Sequence, residues 1–275
     1  IVFIATLALG TPIAYALGLT AVVGLFSMDP SFLIAIPQKL LATSNSYSMI
    51  AIPLFVMAGE LMECSGDIGR MMEFSRACIG KVRGGTAFVC LLVGTLMGGL
   101  LGMANAAAAL LSTTLYPEMV KDGIDEDFAA PYIAAISVIS PMIPPGMLFV
   151  IYGVAANASI SDLFATGFPA GFFIAFVLGV ITWFTAKKKQ WPVSPHETSM
   201  KTILVALRRA WFSILAPVIV FAFIAVGVCT ATEAAAIACV LELFVGVFVY
   251  KKITWTNLKK ALTTTTEISG AILII

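Results

Sequence analysis

Charge is scarce in this chain. Asp, Glu, Lys and Arg make up 11% of its 275 residues, against roughly 25% in soluble domains. Hydrophobic residues make up 60%, and the mean hydropathy is +1.02. A soluble globular domain is excluded, and the composition is that of an all-α polytopic membrane protein. A net charge of +1 leaves no electrostatic footprint for nucleic acid. Histidine is nearly absent. The single His196, in a polar loop, cannot by itself support a metal cluster or a Ser-His-Asp triad. The five cysteines (Cys64, Cys78, Cys90, Cys229 and Cys239) show no CxxC spacing, and read as small buried hydrophobes rather than metal ligands or disulfides. HExxH, GxSxG and a deep Asp pair are all missing, so an intramembrane enzyme has no support. No signal peptide is evident. The sequence opens at Ile1 inside one apolar run and stops at Ile275 inside another, from Ile268. A carboxylate in hydrocarbon is costly, so the expectation is a fragment trimmed at both ends.

What is present begins with a broken helix. Phe128–Ile139 and Met147–Ala156 are apolar and helical in pattern, and Ser140-Pro-Met-Ile-Pro-Pro-Gly146 lies between them. Pro141, Pro144 and Pro145 remove backbone donors and clash with the preceding turn, and residues before proline leave the helical region. Unpaired carbonyls at membrane depth are tolerated only inside protein or beside a polar cavity. Such breaks build ion and substrate sites in secondary transporters; the plainer alternative is a proline kink in a bundle helix.

A hydrocarbon core needs roughly 20 helical residues. Spans are expected at 1–27, 47–64, 128–156 (broken), 161–185, 211–228 and 229–250, with a seventh from near 264. In 84–120, two short apolar arms flank the glycine-rich tip Met97-Gly-Gly-Leu-Leu-Gly-Met-Ala-Asn105. Fifteen helical residues reach only about 22 Å, so the segment reads as a re-entrant hairpin, with two ordinary short spans as the alternative. Segment 66–83 mixes basic and apolar residues at helical spacing and suits an interfacial helix, or else a short linker. Segments 65–83, 121–127, 186–210 and 251–263 then share one side. They hold all but Lys39 of the 16 Lys and Arg residues, which makes that side cytoplasmic.

Spacing also suggests an internal repeat of opposite sense. Thr11-Pro-Ile-Ala-Tyr and Thr230-Ala-Thr-Glu-Ala each open an apolar run. About 35 residues after each comes a Ser/Thr cluster, Ser44–Ser48 and Thr263–Thr266, leading a new span. Inverted repeats give paired half-sites near the midplane. The expected division is 1–83 as scaffold with an interfacial arm helix, 84–185 as transport core, 186–210 as cytoplasmic linker, and 211–275 as the truncated start of a second repeat. On the order of 150 further residues, carrying a second hairpin and a second broken helix, would complete it.

Three motifs carry a family resemblance. Ala51-Ile-Pro-Leu-Phe-Val-Met-Ala-Gly-Glu-Leu-Met62 resembles an IPLF–GELM span. Pro141-Met-Ile-Pro-Pro followed by Val150-Ile-Tyr-Gly153 resembles a PxIPP…VIYG break, and Gly227-Val-Cys-Thr-Ala-Thr-Glu-Ala-Ala-Ala236 resembles GxxTPTEAAA. In order along nearly the whole chain, these resemble the DctM-like large membrane subunit of TRAP transporters, the tripartite ATP-independent periplasmic family. The resemblance implies a sodium-driven elevator in the bacterial inner membrane. It also implies a soluble periplasmic binding protein that delivers a small organic anion, and a small four-helix membrane subunit. Two departures stand out. The tip Leu101-Gly-Met-Ala-Asn105 lacks the Ser, Thr and Asp usual there, and Ala231 replaces the usual Pro.

Sodium is a hard cation that prefers oxygen ligands. Its candidate ligands are Gly99, Gly102 and Asn105 at the tip, with Ser137, Ser140 and Pro141 in the break. Candidates for substrate contact are Asn45, Ser46, Ser48, Asn105, Pro144 and Pro145. Helix-packing hydrogen bonds are the alternative role for each hydroxyl, and close packing for each glycine. Of the acids in or near spans, Glu60 and Glu63 approach the basic edge and Glu233 the outer surface. Only Glu242 is deep, and a structural pairing at the interface with the small subunit is expected for it. Most Phe and Met side chains are expected to face lipid or pack. The leading function is sodium-coupled import of an organic anion delivered by a binding protein; an ion-coupled carrier working without one is the alternative. A channel or scaffold subunit would need neither an inverted repeat nor a broken helix.

Overall fold

The structure, a computed structural model, describes residues 1–193 and 199–274; His196 lies outside the described residues. Among the described residues the only β pairing is an isolated bridge between Arg83 and Val193. Also among the described residues, four helical segments are long and apolar enough to cross a membrane: Tyr47–Ser65, Ile160–Lys188, Met200–Ala225 and Ala231–Val249. Glu126–Met142 and Met147–Ala156 form a fifth candidate bent by 48°. The protein is an all-α polytopic membrane protein.

The expected single span over 1–27 is instead two helices, α1 (Val2–Ala8) and α2 (Ile13–Met28). Gly10 turns the chain at φ 77 and Pro12 caps α2, so the helix cannot run through. The chain itself buries only Ala16 of α2. Helix α3 (Ala35–Ser44) and a 3-10 turn at Tyr47–Ile50 lead into α4 (Ala51–Ser65). Gly66, at φ 78, ends α4 in a left-handed cap, and α5 (Asp67–Ile79) starts at once. Residues 67–79 are thus a helix and not a linker. It packs Ile68, Met71, Ser75 and Ala77 inward against the hairpin arm and the later helix over 200–225.

The hairpin consists of α6 (Gly85–Leu101), α7 (Ala104–Thr114) and α8 (Tyr116–Lys121). It returns to where it began. The Thr86 hydroxyl donates to the Asp122 carboxylate, and the Gly84 N–H donates to the Pro192 carbonyl at 3.0 Å. Helix α9 (Glu126–Ser137) and α10 (Met147–Ala156) flank the break, and α11 (Ile160–Lys188) follows a tight turn capped by Ser159.

Helix α12 (Met200–Ala225) begins well before 211, so residues 200–210 of the expected linker over 186–210 are helical. Lys187 and Lys188 end α11, and Trp191 is 3% exposed, packed edge-on against Phe128 at 4.8 Å. Helix α13 (Ala231–Phe244) opens on a capping box between Thr230 and Glu233 and continues as a π turn, Val245–Val249. Helix α14 (Trp255–Ile274) starts before the expected 264, so Thr263–Thr266 sit inside it rather than leading it.

Side-chain contacts sort the loops into two ends. Arg76 pairs with Glu118 at 2.6 Å, Lys189 with Asp125 at 2.7 Å, and the Cys64 thiol reaches the Asn257 carbonyl at 3.7 Å. The basic segments therefore meet at one end. At the other, Ser48, Ser161, Thr230 and Glu233 line a surface cavity of about 470 Å³. Alongside it, α4 and α13 run in the same direction: Thr232 Oγ1 donates to the Tyr47 carbonyl at 3.2 Å, and the Cys239 thiol to that of Leu54 at 2.9 Å.

Candidate functional site: the hairpin tip against the broken helix

In an α-helix the N–H of residue i bonds the carbonyl of residue i−4. Proline has no N–H, so Pro141, Pro144 and Pro145 strip the carbonyls of Ser137, Ser140 and Pro141 of their usual donors. The chain resolves this by leaving the helix. A 3-10 turn covers Ser140–Met142, Ile143 is extended, Pro144–Pro145 is a cis peptide, and Gly146 caps α10. Gly146 has to be glycine: a Cβ there would lie 2.3 Å from the Pro141 carbonyl oxygen.

The hairpin tip stops at this bend. A Cβ at Gly98 would lie 3.1 Å from Ile143 and 3.4 Å from the Ser140 Cα. Gly102 ends α6 at φ 57, and a Cβ there would lie 3.3 Å from the Met147 nitrogen and 3.7 Å from the Pro145 oxygen. Because the bend falls midway along the α9–α10 span, the tip reaches mid-span and goes no further. Helix ends of both polarities converge here. The C-termini of α6 and α9 point carbonyls and partial negative charge at the contact. The N-termini of α7 and α10 bring free N–H groups and partial positive charge. The first pair suits a cation and the second a carboxylate.

The chain matches, over residues 1–275, the DctM component of the tripartite ATP-independent periplasmic transporters. It belongs to this family. A C4-dicarboxylate TRAP transporter large permease of Pseudomonas aeruginosa is 31% identical over 90% of this chain and 58% of its own length. A 2,3-diketo-L-gulonate TRAP large permease of Escherichia coli is 32% identical over 92% of the chain and 59% of its own length. A sialic acid TRAP large permease of Vibrio cholerae is 31% identical over 89% and 57%. The chain thus spans about three fifths of the length of these relatives. The DctM family is one of transporter permease subunits, not of enzymes.

Within this DctM chain the candidate residues divide into three groups. Ser140, Pro141, Pro144 and Pro145 are buried in the bend, and the Ser140 hydroxyl has no hydrogen-bond partner among the described residues. Gly99 lies in the last turn of α6, Gly102 caps that helix, and Asn105 is exposed in the first turn of α7. Ser137 is buried and its hydroxyl donates to the Ala134 carbonyl at 2.7 Å, which fixes its proton and leaves the oxygen lone pairs to accept. Asn45, Ser46 and Ser48 lie around the start of α4, where Ser48 lines the far-end cavity rather than the contact between tip and bend.

Among the described residues, sequence reasoning missed one fully buried acid. Asp67 is fully buried at the first position of α5. Its one local signal is an acid directly after the glycine that ends a span, with Arg70 three residues on. Glu242 is 1% exposed and shares surroundings with Asp67 and Arg70. It faces inward within this chain, which corrects the expectation of a pairing with a small subunit.

Proposed function

We propose that this chain forms part of a TRAP large permease that imports a small organic anion together with sodium across the bacterial inner membrane. A soluble periplasmic binding protein delivers the substrate, and a small four-helix subunit stabilises the permease in the membrane. The observation that carries the reading is the buried, unpartnered Ser140 hydroxyl, set among carbonyls freed by prolines and covered by the hairpin tip. A buried hydroxyl without a partner costs roughly 1–3 kcal/mol, and a hard cation removes that cost. The donor set is all oxygen, neutral and partly main-chain, which fits sodium. Ser140 Oγ, the carbonyls of Ser137, Ser140 and Pro141, and the α6 terminus around Gly99 and Gly102 would hold it, with Asn105 at the rim. Sodium would supply positive charge beside the anion and a gradient to drive uptake.

The N-termini of α7 and α10 place N–H groups where a carboxylate is favoured. Each of the three relatives named above carries an acid in its description, in keeping with an organic-anion substrate. The hairpin, the bend and α11 form the moving body of an elevator in this reading, and 211–275 opens the inverted second repeat. Uptake of a labelled anion into proteoliposomes tests the reading. The intact permease, its small subunit and its binding protein should accumulate the anion only under an inward sodium gradient. Equal accumulation without the gradient would refute sodium coupling.

A further inference from the structure

Away from the tip, α4, α5, α12 and α13 enclose a second polar cluster. The Asp67 carboxylate accepts a hydrogen bond from Arg70 Nη1 at 2.9 Å, and others from the hydroxyls of Ser65 and Ser213. Arg70 Nη1 also donates to the Ser65 carbonyl at 3.1 Å, and the guanidinium lies 3.3 Å above the Tyr250 ring. Asp67 and Arg70 thus satisfy one another, charge against charge.

Glu242 is the third member. It is 1% exposed, and neither carboxyl oxygen has a hydrogen-bond partner among the described residues. The charged groups that act on it are Asp67 and Arg70, both from α5. On its own helix the Cys239 thiol is nearby, and Tyr250 follows the π turn. From α4 and α12 the polar groups at the cluster are Ser65 and Ser213, both already donating to Asp67. On its other side Glu242 borders a narrow cavity of about 20 Å³ lined by Phe55, Met62, Pro145, Pro217 and Val220. That cavity joins Glu242 to the bend.

With Glu242 ionised, the cluster would hold one uncompensated negative charge in an apolar, closed space. A buried charge without a partner is among the costliest arrangements in a folded protein. One extra positive charge removes the cost. A metal cation would need several oxygen ligands, whereas the cavity wall is hydrocarbon. A proton needs only the carboxyl itself, and a neutral carboxyl has one O–H to donate.

We propose that Glu242 is a resident proton-binding site, its carboxyl holding one proton beside the Asp67–Arg70 pair. The proton makes the junction of α5 and α13 electroneutral. It sets a neutral group, rather than a second anion, at the cavity that opens on Pro145.

Infrared spectroscopy of the intact permease at neutral pH tests this. The difference spectrum between wild type and Glu242→Gln should show the carbonyl stretch of one protonated carboxyl, present only in wild type. Asp67→Asn frees Arg70 to pair with Glu242, so in that variant the band should vanish and a carboxylate band replace it. A wild-type spectrum without the protonated band would overturn the proposal, as would a band that persists in Asp67→Asn. Should Glu242→Gln fail to fold, the wild-type and Asp67→Asn spectra alone still decide the matter.

Discussion

At the scale of single residues, Ser140 at the bend and Gly102 at the tip decide what the contact between them can hold. The Ser140 hydroxyl is buried and lacks a partner among the described residues, so removing it costs the folded chain little and a bound cation much. Ser140→Ala is therefore expected to raise the sodium concentration for half-maximal uptake, by about 1–3 kcal/mol of lost interaction, at least about fivefold. Unchanged sodium dependence at normal expression would move the ion elsewhere. Gly102 tests the other partner. Its φ of 57 costs an L-residue roughly 1–2 kcal/mol, and a Cβ would press on the Met147 nitrogen at 3.3 Å. Gly102→Ala should keep the bundle folded but lift the tip from the bend, cutting uptake more than it lowers the thermal midpoint. Proportionate loss of both would make Gly102 a packing residue only.

At the scale of elements, the base of the hairpin is held by a clasp that follows α11. Trp191 is buried against Gly84, Ala186 and Phe128, while Lys189 and the Trp191 indole N–H both donate to Asp125. Trp191→Ala should lower stability by about 3–5 kcal/mol, as removal of a buried aromatic does, and denaturation of the purified permease measures it. The hydrogen bond from Lys189, then that from Trp191, holds the Asp125 carboxyl below its ordinary range. A depressed carboxyl stabilises the fold above its unfolded pKa and loses that contribution as pH falls through the folded value. Acid should therefore loosen the clasp, and Asp125→Asn should do so at neutral pH. Hydrogen exchange at the Trp191 N–H, bonded to the Ala186 carbonyl at 3.1 Å, reports both; equal protection in wild type and Asp125→Asn would show that the apolar contacts hold the clasp without the carboxylate. This clasp was illegible in the sequence because it joins residues far apart along the chain. The bend and the hairpin were legible because proline and glycine act locally, on the backbone that carries them. The start of α14 escaped notice for the opposite reason: Trp255–Lys260 is helical yet too polar to look like a span.

At the scale of the whole molecule, orientation follows from where the charges gather. Hydropathy located the spans over 47–64, 128–156, 161–185, 211–228 and 229–250, but Gly10-Thr-Pro12 divides the apolar run at 1–27, and α14 is not among the helices apolar enough to cross, so the expected first and seventh spans do not stand as single crossings. The pairing of the loop ends is geometry: Arg76 with Glu118, Lys189 with Asp125, and Cys64 beside Asn257 all meet at one end. That end holds the Lys187–Lys189 cluster, while the turn between α10 and α11 lies at the other, beside Ser48 and Thr230. Basic residues near span ends are retained on the cytoplasmic side. Lys188, exposed at the end of α11, should thus face the cytoplasm, and Ala158, one span away, the periplasm. Cysteines placed singly at 158 and 188, after every native cysteine is replaced, make this measurable with an impermeant thiol reagent on intact cells. Position 158 should react from outside, and position 188 only after the membrane is opened. Labelling of 188 but not 158 in intact cells would invert the molecule, and the hairpin over 85–121 would then enter from the periplasmic face instead of the cytoplasmic one.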